Sequence, residues 1–360
     1  MKTTATRLAV AGALSLAAIG GVATADSGTR AEPTYPPAPV TSNTPPGTKN
    51  SFDVTYNVCR GPNPLCYHPW FQTRQNRVLL YTRSRGPRHA NLGPALAGGL
   101  NPTLVPANVV QNTVIKWMGD VGVSVDWTED VEAFASALAG LGTPPSNTYK
   151  AVIFISSNRD AMWDHGTAVD PTQAVNTSAG AFLDHAKMSL REYMRGGGGF
   201  VAIHNAFGTE SNWPYYEGLL GNANYYSHGP EQTGNVDVVA GDSSTDGLPK
   251  TWEFKDEWYD LLPYPTHVKF LLTVDESSLA GGAASVANVH PGHGNFHPVA
   301  WCQYYDGGRS WVTTLGHDTG AFTDGSGFPG QAFFKQLFVN GVLSAMGNLP
   351  FCVTSDNSDD

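Results

Sequence analysis

One stretch restricts the fold more than any other. Leu183, Ala186, Leu190, Tyr193 and Met194 recur at helical spacing, and the pattern stops at Gly196-Gly197-Gly198-Gly199. Phe200-Val201-Ala202-Ile203 follows at once, an aliphatic run short enough to be a buried strand, and it ends abruptly on His204. A helix that hands over to a buried strand ending in a polar side chain is the unit of an open α/β sheet, where ligands bind beyond the carboxyl ends of the strands. The same order, strand then sharp turn, is the geometry of a nucleophile elbow. Here the elbow residue is a histidine, able to act as base, acid or metal ligand.

The rest of the chain repeats that grammar. Residues 78–82, 121–127 and 151–156 read as strands, with helices expected over 108–119 and 131–138. Later strands are expected at 236–240, 268–274, 299–304 and 311–315, and a closing helix over 330–346. The expected architecture is a single α/β domain over residues 77–348, a parallel sheet sandwiched by helices. Residues 51–76 form a cysteine-tied N-terminal extension, and 349–360 a C-terminal tail.

Upstream, Lys2 and Arg7 precede an apolar run from Leu8 to Val22 and the small-x-small triplet Ala23-Thr24-Ala25. This is a secretory signal, with cleavage expected after Ala25, leaving a Pro/Ser/Thr-rich linker over 26–50. No later stretch reaches the roughly 18–20 apolar residues that cross a bilayer, so no membrane partner is expected after cleavage. The formal net charge of -10 also disfavours nucleic acid as a partner. Export into an oxidising compartment favours disulfides over thiolate catalysis for the four cysteines. Cys59 with Cys66 and Cys302 with Cys352 is the expected pairing, although spacing alone leaves three connectivities open.

Chemistry-bearing residues gather at the predicted strand ends. Trp311-Val312-Thr313-Thr314-Leu315-Gly316-His317-Asp318 is a second strand that runs through glycine into histidine, with Asp318 placed to orient an imidazole. Trp252-Glu253-Phe254-Lys255-Asp256-Glu257-Trp258-Tyr259 packs Asp256 and Glu257 among aromatic rings, a composition suited to sugars: rings stack on pyranose C–H faces while carboxylates accept hydroxyl protons. His204, His317, Asp256 and Glu257 are the candidate catalytic residues. Arg88, His89, Trp213, His228, Trp258 and Tyr259 are the candidate substrate contacts. No cofactor is certain, but His89, His204, His228 and His317 could together hold a divalent metal. His290, His293 and His297 resemble a metal tract in composition, yet their Gly/Pro-rich loop reads more simply as solvated.

Taken together, several of these tags resemble the ThuA-like (trehalose utilisation) family: Gly-Gly-Gly-Gly-Phe-Val-Ala-Ile-His-Asn-Ala at 196–206, Asn-Trp-Pro-Tyr-Tyr at 212–216, Tyr-Ser-His at 226–228, Asp-Glu-Trp-Tyr at 256–259, Leu-Leu-Thr-Val-Asp-Glu at 271–276, His-Pro-Val-Ala-Trp-Cys at 297–302 and Leu-Gly-His at 315–317, with the strand and Arg-His of 77–89 ahead of them. The resemblance implies a class I glutamine amidotransferase-like, flavodoxin-like fold and a role in sugar metabolism or glycoside breakdown. In the amidotransferases the elbow carries a nucleophilic cysteine and a later strand end its histidine. Here the elbow is His204 and His317 matches the later histidine, so glutaminase chemistry is not expected. Asp242-Ser243-Ser244-Thr245 stands where relatives usually show His-Pro-x-Thr, so no role of that histidine transfers. The expected function is a secreted hydrolase or lyase acting on a glycoside or keto-sugar. The alternatives are a non-catalytic carbohydrate-binding module and a divalent-metal-dependent hydrolase.

Overall fold

The computed structural model describes residues 51–61, 75–139, 149–162 and 185–352. The signal and linker readings, Cys66 and most of the tail lie outside these residues, as therefore does the Cys59–Cys66 pairing. An N-terminal hairpin, β1 (Ser51–Asp53) with β2 (Val58–Arg60), meets the main sheet at one pair, Arg60 with Tyr305. Strand and helix then alternate: β3 (Arg77–Tyr81), α1 (Val109–Asp120), β4 (Ser124–Thr128), α2 (Val131–Leu138), β5 (Ala151–Ile155), α3 (His185–Arg195) and β6 (Gly199–Ile203). A short helix α4 (Pro214–Leu219) leads into β7 (Tyr225–His228), β8 (Gln232–Val238), β9 (Thr251–Asp256), β10 (Tyr259–Leu261), β11 (Lys269–Asp275), β12 (His297–Tyr305), β13 (Gly308–Thr313) and the closing helix α5 (Gln331–Ala345).

The main sheet runs β4-β3-β5-β6-β13-β12-β11-β8-β9, with β7 and β10 paired separately. From β4 through β13 it is parallel, as the strand–helix alternation predicts. From β13 onward it is antiparallel. The change of direction has a local cause. Tyr305 pairs with Gly308, leaving Asp306-Gly307 as the loop, and both loop residues have left-handed φ, 50° and 89°. Asp-Gly in that conformation is the two-residue turn whose twist suits a hairpin.

The central strands are buried on both faces, and their side chains alternate between two cores. Ala151, Ile153, Ile155, Val201 and Ile203 pack with α1 and α5, while Val152, Phe154, Phe200 and Ala202 pack with α2 and α3. Helix α2 starts where the Asp130 carboxylate accepts from the N–H groups of Glu132 and Ala133. Helix α3 ends in a Schellman arrangement: Gly198 N–H donates to Tyr193 O and Gly197 N–H to Met194 O, with Gly197 at φ 81°. A side chain at Gly198 would run into the Tyr193 ring, and one at Gly199 into the Ala345 carbonyl. The glycine run therefore both stops the helix and lets β6 slide under α5.

Two expectations need correction. The strand expected over 121–127 begins only at Ser124, because Gly122 at φ 74° makes the turn out of α1. His290, His293 and His297, read as a solvated loop, are buried at 2%, 7% and 0% exposure. The Cys302–Cys352 disulfide, by contrast, is present and ties the C-terminus to β12. Among the described residues no helix is long and apolar enough to cross a membrane.

Candidate functional site

His204 follows β6 immediately, fully buried and at φ 53°, so the strand turns sharply enough to throw the imidazole across the sheet's end. Thr313 pairs with Ile203, which sets the residues after β13 beside it. His204 Nδ1 lies 3.0 Å from Thr314 O; since a carbonyl only accepts, this nitrogen carries the proton and Nε2 offers its lone pair. Facing that lone pair are His89 Nε2 at 3.2 Å, His317 Nδ1 at 3.2 Å and the Tyr259 hydroxyl at 2.9 Å. Glu257 Oε2 stands 3.2 Å from His317 Nδ1 and 3.8 Å from His204 Nε2.

These groups arrive from both halves of the sheet. His89 comes from the loop after β3, His317 from the loop after β13, and Glu257 from the end of β9, the last antiparallel strand. Asn91 holds the β13 loop by donating to the carbonyls of Gly316 and His317. Asp256 joins the halves: its carboxylate accepts from Gly316 N–H at 2.7 Å and from Glu257 N–H at 2.8 Å. Asp256 is thus a positioning residue whose carboxylate faces backbone, with one oxygen 3.8 Å behind His204 Nδ1.

Burial dominates the electrostatics. It pushes the His204 imidazole well below its ordinary range, with the neighbouring His89 and His317 adding to the effect. The His89 imidazole falls to about 4 for the same reasons. Burial alone would lower His317, but the hydrogen bond and charge of Glu257 outweigh it and raise it. The Glu257 carboxyl is correspondingly lowered, its burial overcome by His317. The Tyr259 phenol, buried beside a carboxylate, is pushed far above its usual value and stays a donor. Burial lifts the Asp256 carboxyl to about 7.

A cavity of about 460 Å³ opens above this cluster, and His89, Glu257, Tyr259, His228 and Tyr225 line it. His228 donates from Nδ1 to Gly229 O, and its Nε2 stays 3.7 Å from Glu257 Oε1, so it edges the cavity outside the cluster around His204 Nε2. Four sequence candidates point elsewhere. Arg88 spends its guanidinium on Glu129, 2.7 and 3.1 Å away, and on the carbonyls of Leu92, Gly93 and Pro94. Trp258 is fully buried in the core with its indole N–H on Gln232 O, and Trp213 stacks on Tyr215 beneath Lys187. Asp318 caps the next turn by accepting from Gly320 N–H and orients no imidazole.

Asn158, Arg159, Asn205 and Ser211 also line the cavity without having been singled out as ligands. A signal for the first two was present. Ser156-Ser157-Asn158-Arg159 follows the buried strand β5 as abruptly as His204 follows β6, and Ser156 and Arg159 share its left-handed backbone, φ 48° and 55°.

The strand order and the helices on both faces are consistent with a glutamine amidotransferase-like α/β fold, with a histidine at the elbow. Within that class the family model described as ThuA, trehalose utilisation, matches residues 77–328, and the chain belongs to this family. Among solved structures it is similar to a ThuA-like protein of Bacteroides uniformis, 19% identical with TM-score 0.48, over 76% of this chain and 94% of that one. A ThuA-like protein of Parabacteroides merdae is 18% identical with TM-score 0.48, over 78% and 93% of the two chains. A GMP synthase protein of Thermoplasma acidophilum is 9% identical with TM-score 0.39, over 75% and 94%. No curated protein matches the sequence.

Proposed function

We propose that this protein is a carbohydrate-active enzyme, a hydrolase or lyase, with a keto-sugar favoured over an ordinary glycoside as substrate. The observation that carries the reading is the convergence of three imidazoles, one carboxylate and one phenol, of which His89, Glu257 and Tyr259 line a cavity of about 460 Å³, within the usual range for small-molecule sites. Membership of a family described by trehalose utilisation supports a sugar in that cavity.

The choice of reaction rests on counting acids. Glycosidases of the common kind use two carboxyl groups about 5–10 Å apart across the scissile bond. Among the described lining residues Glu257 is the one carboxylate, since Asp256 is turned to backbone N–H groups. Neutral imidazoles and a buried phenol suit other chemistry, in which the acidic proton beside a keto group is removed and a proton is returned to the leaving oxygen. In this scheme His204 and His317 serve as the imidazole pair, either as acid and base or as ligands of a metal that polarises the keto oxygen, with Tyr259 as the hydroxyl donor and His228 and Tyr225 as sugar contacts. A pure binding module would want exposed aromatic platforms, and Trp213 and Trp258 are committed to the core. The amino-terminal signal pattern and the Cys302–Cys352 bridge support action outside the cytoplasm.

The test is a panel of glycosides and their keto derivatives, followed by chromatography for products and calorimetry for binding. Turnover of a keto-sugar that His204→Ala abolishes is expected. Tight binding of sugars with no product from any of them would replace the enzyme with the binding module, and turnover untouched in His204→Ala would remove the site.

A further inference from the structure

Four donor atoms from four separate loops surround one point below the cavity. We propose that they form a mononuclear site for a divalent first-row transition metal, held by His89 Nε2, His204 Nε2, His317 Nδ1 and Glu257 Oε2 and open toward the cavity. The four donor groups lie within 4.8 Å of one another. His228, a metal candidate from the sequence, gives way to Glu257.

Hydrogen bonding alone accounts poorly for this arrangement. With its Nδ1–H given to Thr314 O, His204 has a single in-plane lone pair on Nε2. His89, His317 and the Tyr259 hydroxyl all crowd that lone pair at 3.2, 3.2 and 2.9 Å. One in-plane lone pair accepts one good hydrogen bond, whereas converging lone pairs are what a cation requires. The spacing agrees. Donors held about 2.0–2.2 Å from a tetrahedral metal stand roughly 3.3–3.5 Å apart, and three of the measured edges are 3.2 Å.

The surroundings also fit. A ligating histidine usually donates its other N–H to a carbonyl or carboxylate, which fixes tautomer and ring orientation, and the His204 bond to Thr314 O does this. Asp256 clamps the loops of two donors, Glu257 and His317, through backbone N–H groups. An imidazole-rich set selects Zn, Cu, Ni or Fe over Ca or Mg. His89 and Glu257 line the cavity, so a bound substrate oxygen could be polarised there. A second cluster, Asp260 with His290 and His293, has similar residue types. There the His293 Nε2 lone pair already accepts Leu261 N–H at 2.9 Å, so that cluster serves as the control.

Metal content decides the matter without turnover; the inference rests on the proposed function only for what the metal does to a sugar. The full chain is stripped with chelator, titrated with Zn²⁺ by calorimetry, and assayed for metal after gel filtration. One equivalent per chain is expected, with a rise in melting temperature on loading. His204→Asn and His89→Ala should weaken Zn²⁺ binding at least 100-fold. Glu257→Gln, nearly isosteric, should weaken it at least tenfold while the metal-free melting temperature stays put. His293→Asn should keep the full equivalent. The site is overturned if the wild type retains no Zn²⁺, if the equivalent survives both His204→Asn and Glu257→Gln, or if it leaves with His293→Asn. A metal-free but active enzyme would sink this inference and spare the function; a loaded chain inert to every sugar would do the reverse.

Discussion

Replacing Tyr259 by Phe removes one oxygen from the centre of the site and nothing else. The ring keeps its packing on His204 and Tyr225, at centroid distances of 4.7 and 4.6 Å. What disappears is the donor 2.9 Å from His204 Nε2. The nitrogen is not orphaned, because His89 and His317 still face it at 3.2 Å. The stability cost is therefore that of one ordinary buried hydrogen bond, about 1 kcal/mol, which moves the melting temperature of a chain this size by about 2 °C. The effect on reaction should be far larger. A positioned proton donor contributes about 10²–10⁴-fold, equivalent to roughly 3–5 kcal/mol of barrier. Steady-state kinetics on a responsive keto-sugar, beside a thermal melt, separate the two. A loss of kcat beyond 100-fold with KM within a few-fold and the melt nearly unchanged is expected. Activity within tenfold of wild type would refute the role of the phenol, as would a melt that falls by more than about 10 °C in step with activity.

Trp258→Ala should act on folding and not on sugar affinity: loss of a fully buried Trp side chain costs about 3–5 kcal/mol, read as a fall of roughly 6–10 °C in a melt. The double variant Cys302→Ala/Cys352→Ala opens a bridge across a sequence separation of 50, and the chain-entropy account gives about 4 kcal/mol; calorimetry should show a fall near that size, and wild type in strong reductant should approach it. Asp126 is held below its usual carboxylate range, burial being outweighed by hydrogen bonds from Arg77, Asn101 and Tyr149. A depressed carboxyl stabilises the fold above its unfolded pKa and loses that contribution as pH falls through the folded one, so denaturant unfolding below about pH 4 should show a steeper acid loss in wild type than in Asp126→Asn.

The centre of the parallel half was legible because β5 and β6 are continuous apolar runs buried along their whole length, whereas the edge strand β4, Ser-Val-Asp-Trp-Thr, is only partly buried and its start was misplaced. β5 and β6 fall within a residue of their expected bounds, and α2 matches its own. The antiparallel half was harder to read. β9 alternates exposed and buried side chains, so Trp252, Phe254 and Asp256 point inward while Glu253 points out; the same alternation, seen only as composition, suggests a sugar-facing surface. Period, not aromatic content, was the informative property. The aromatics followed suit: Trp258, two residues past Asp256, keeps the buried parity of that pattern and turns into the core, while Tyr259 turns toward His204. His204 and His317 could be paired from sequence because both sit just past strands that a parallel sheet sets side by side. That Glu257 completes the cluster in place of His228 depends on β9 returning to the β13 loop, a tertiary contact made by Asp256 that no local pattern encodes.

That contact also sets the composition of the cluster around His204. To the cluster around His204 Nε2 the parallel half supplies His89, His204 and His317, imidazoles that repel one another when charged. A carboxylate is needed to hold a proton on His317 or to balance a cation, and it comes from the antiparallel half through Glu257. Asp256 makes the delivery specific, since its two oxygens measure the distance between the Glu257 backbone and the Gly316 backbone at 2.8 and 2.7 Å. Asparagine there can accept from one of these N–H groups but must turn an amide toward the other, leaving a buried donor unsatisfied at about 1–3 kcal/mol. The charge of the cluster is thus coupled to the joining of the two half-sheets, and a chain that folded only its parallel half would have an elbow histidine without the Glu257 carboxylate beside it.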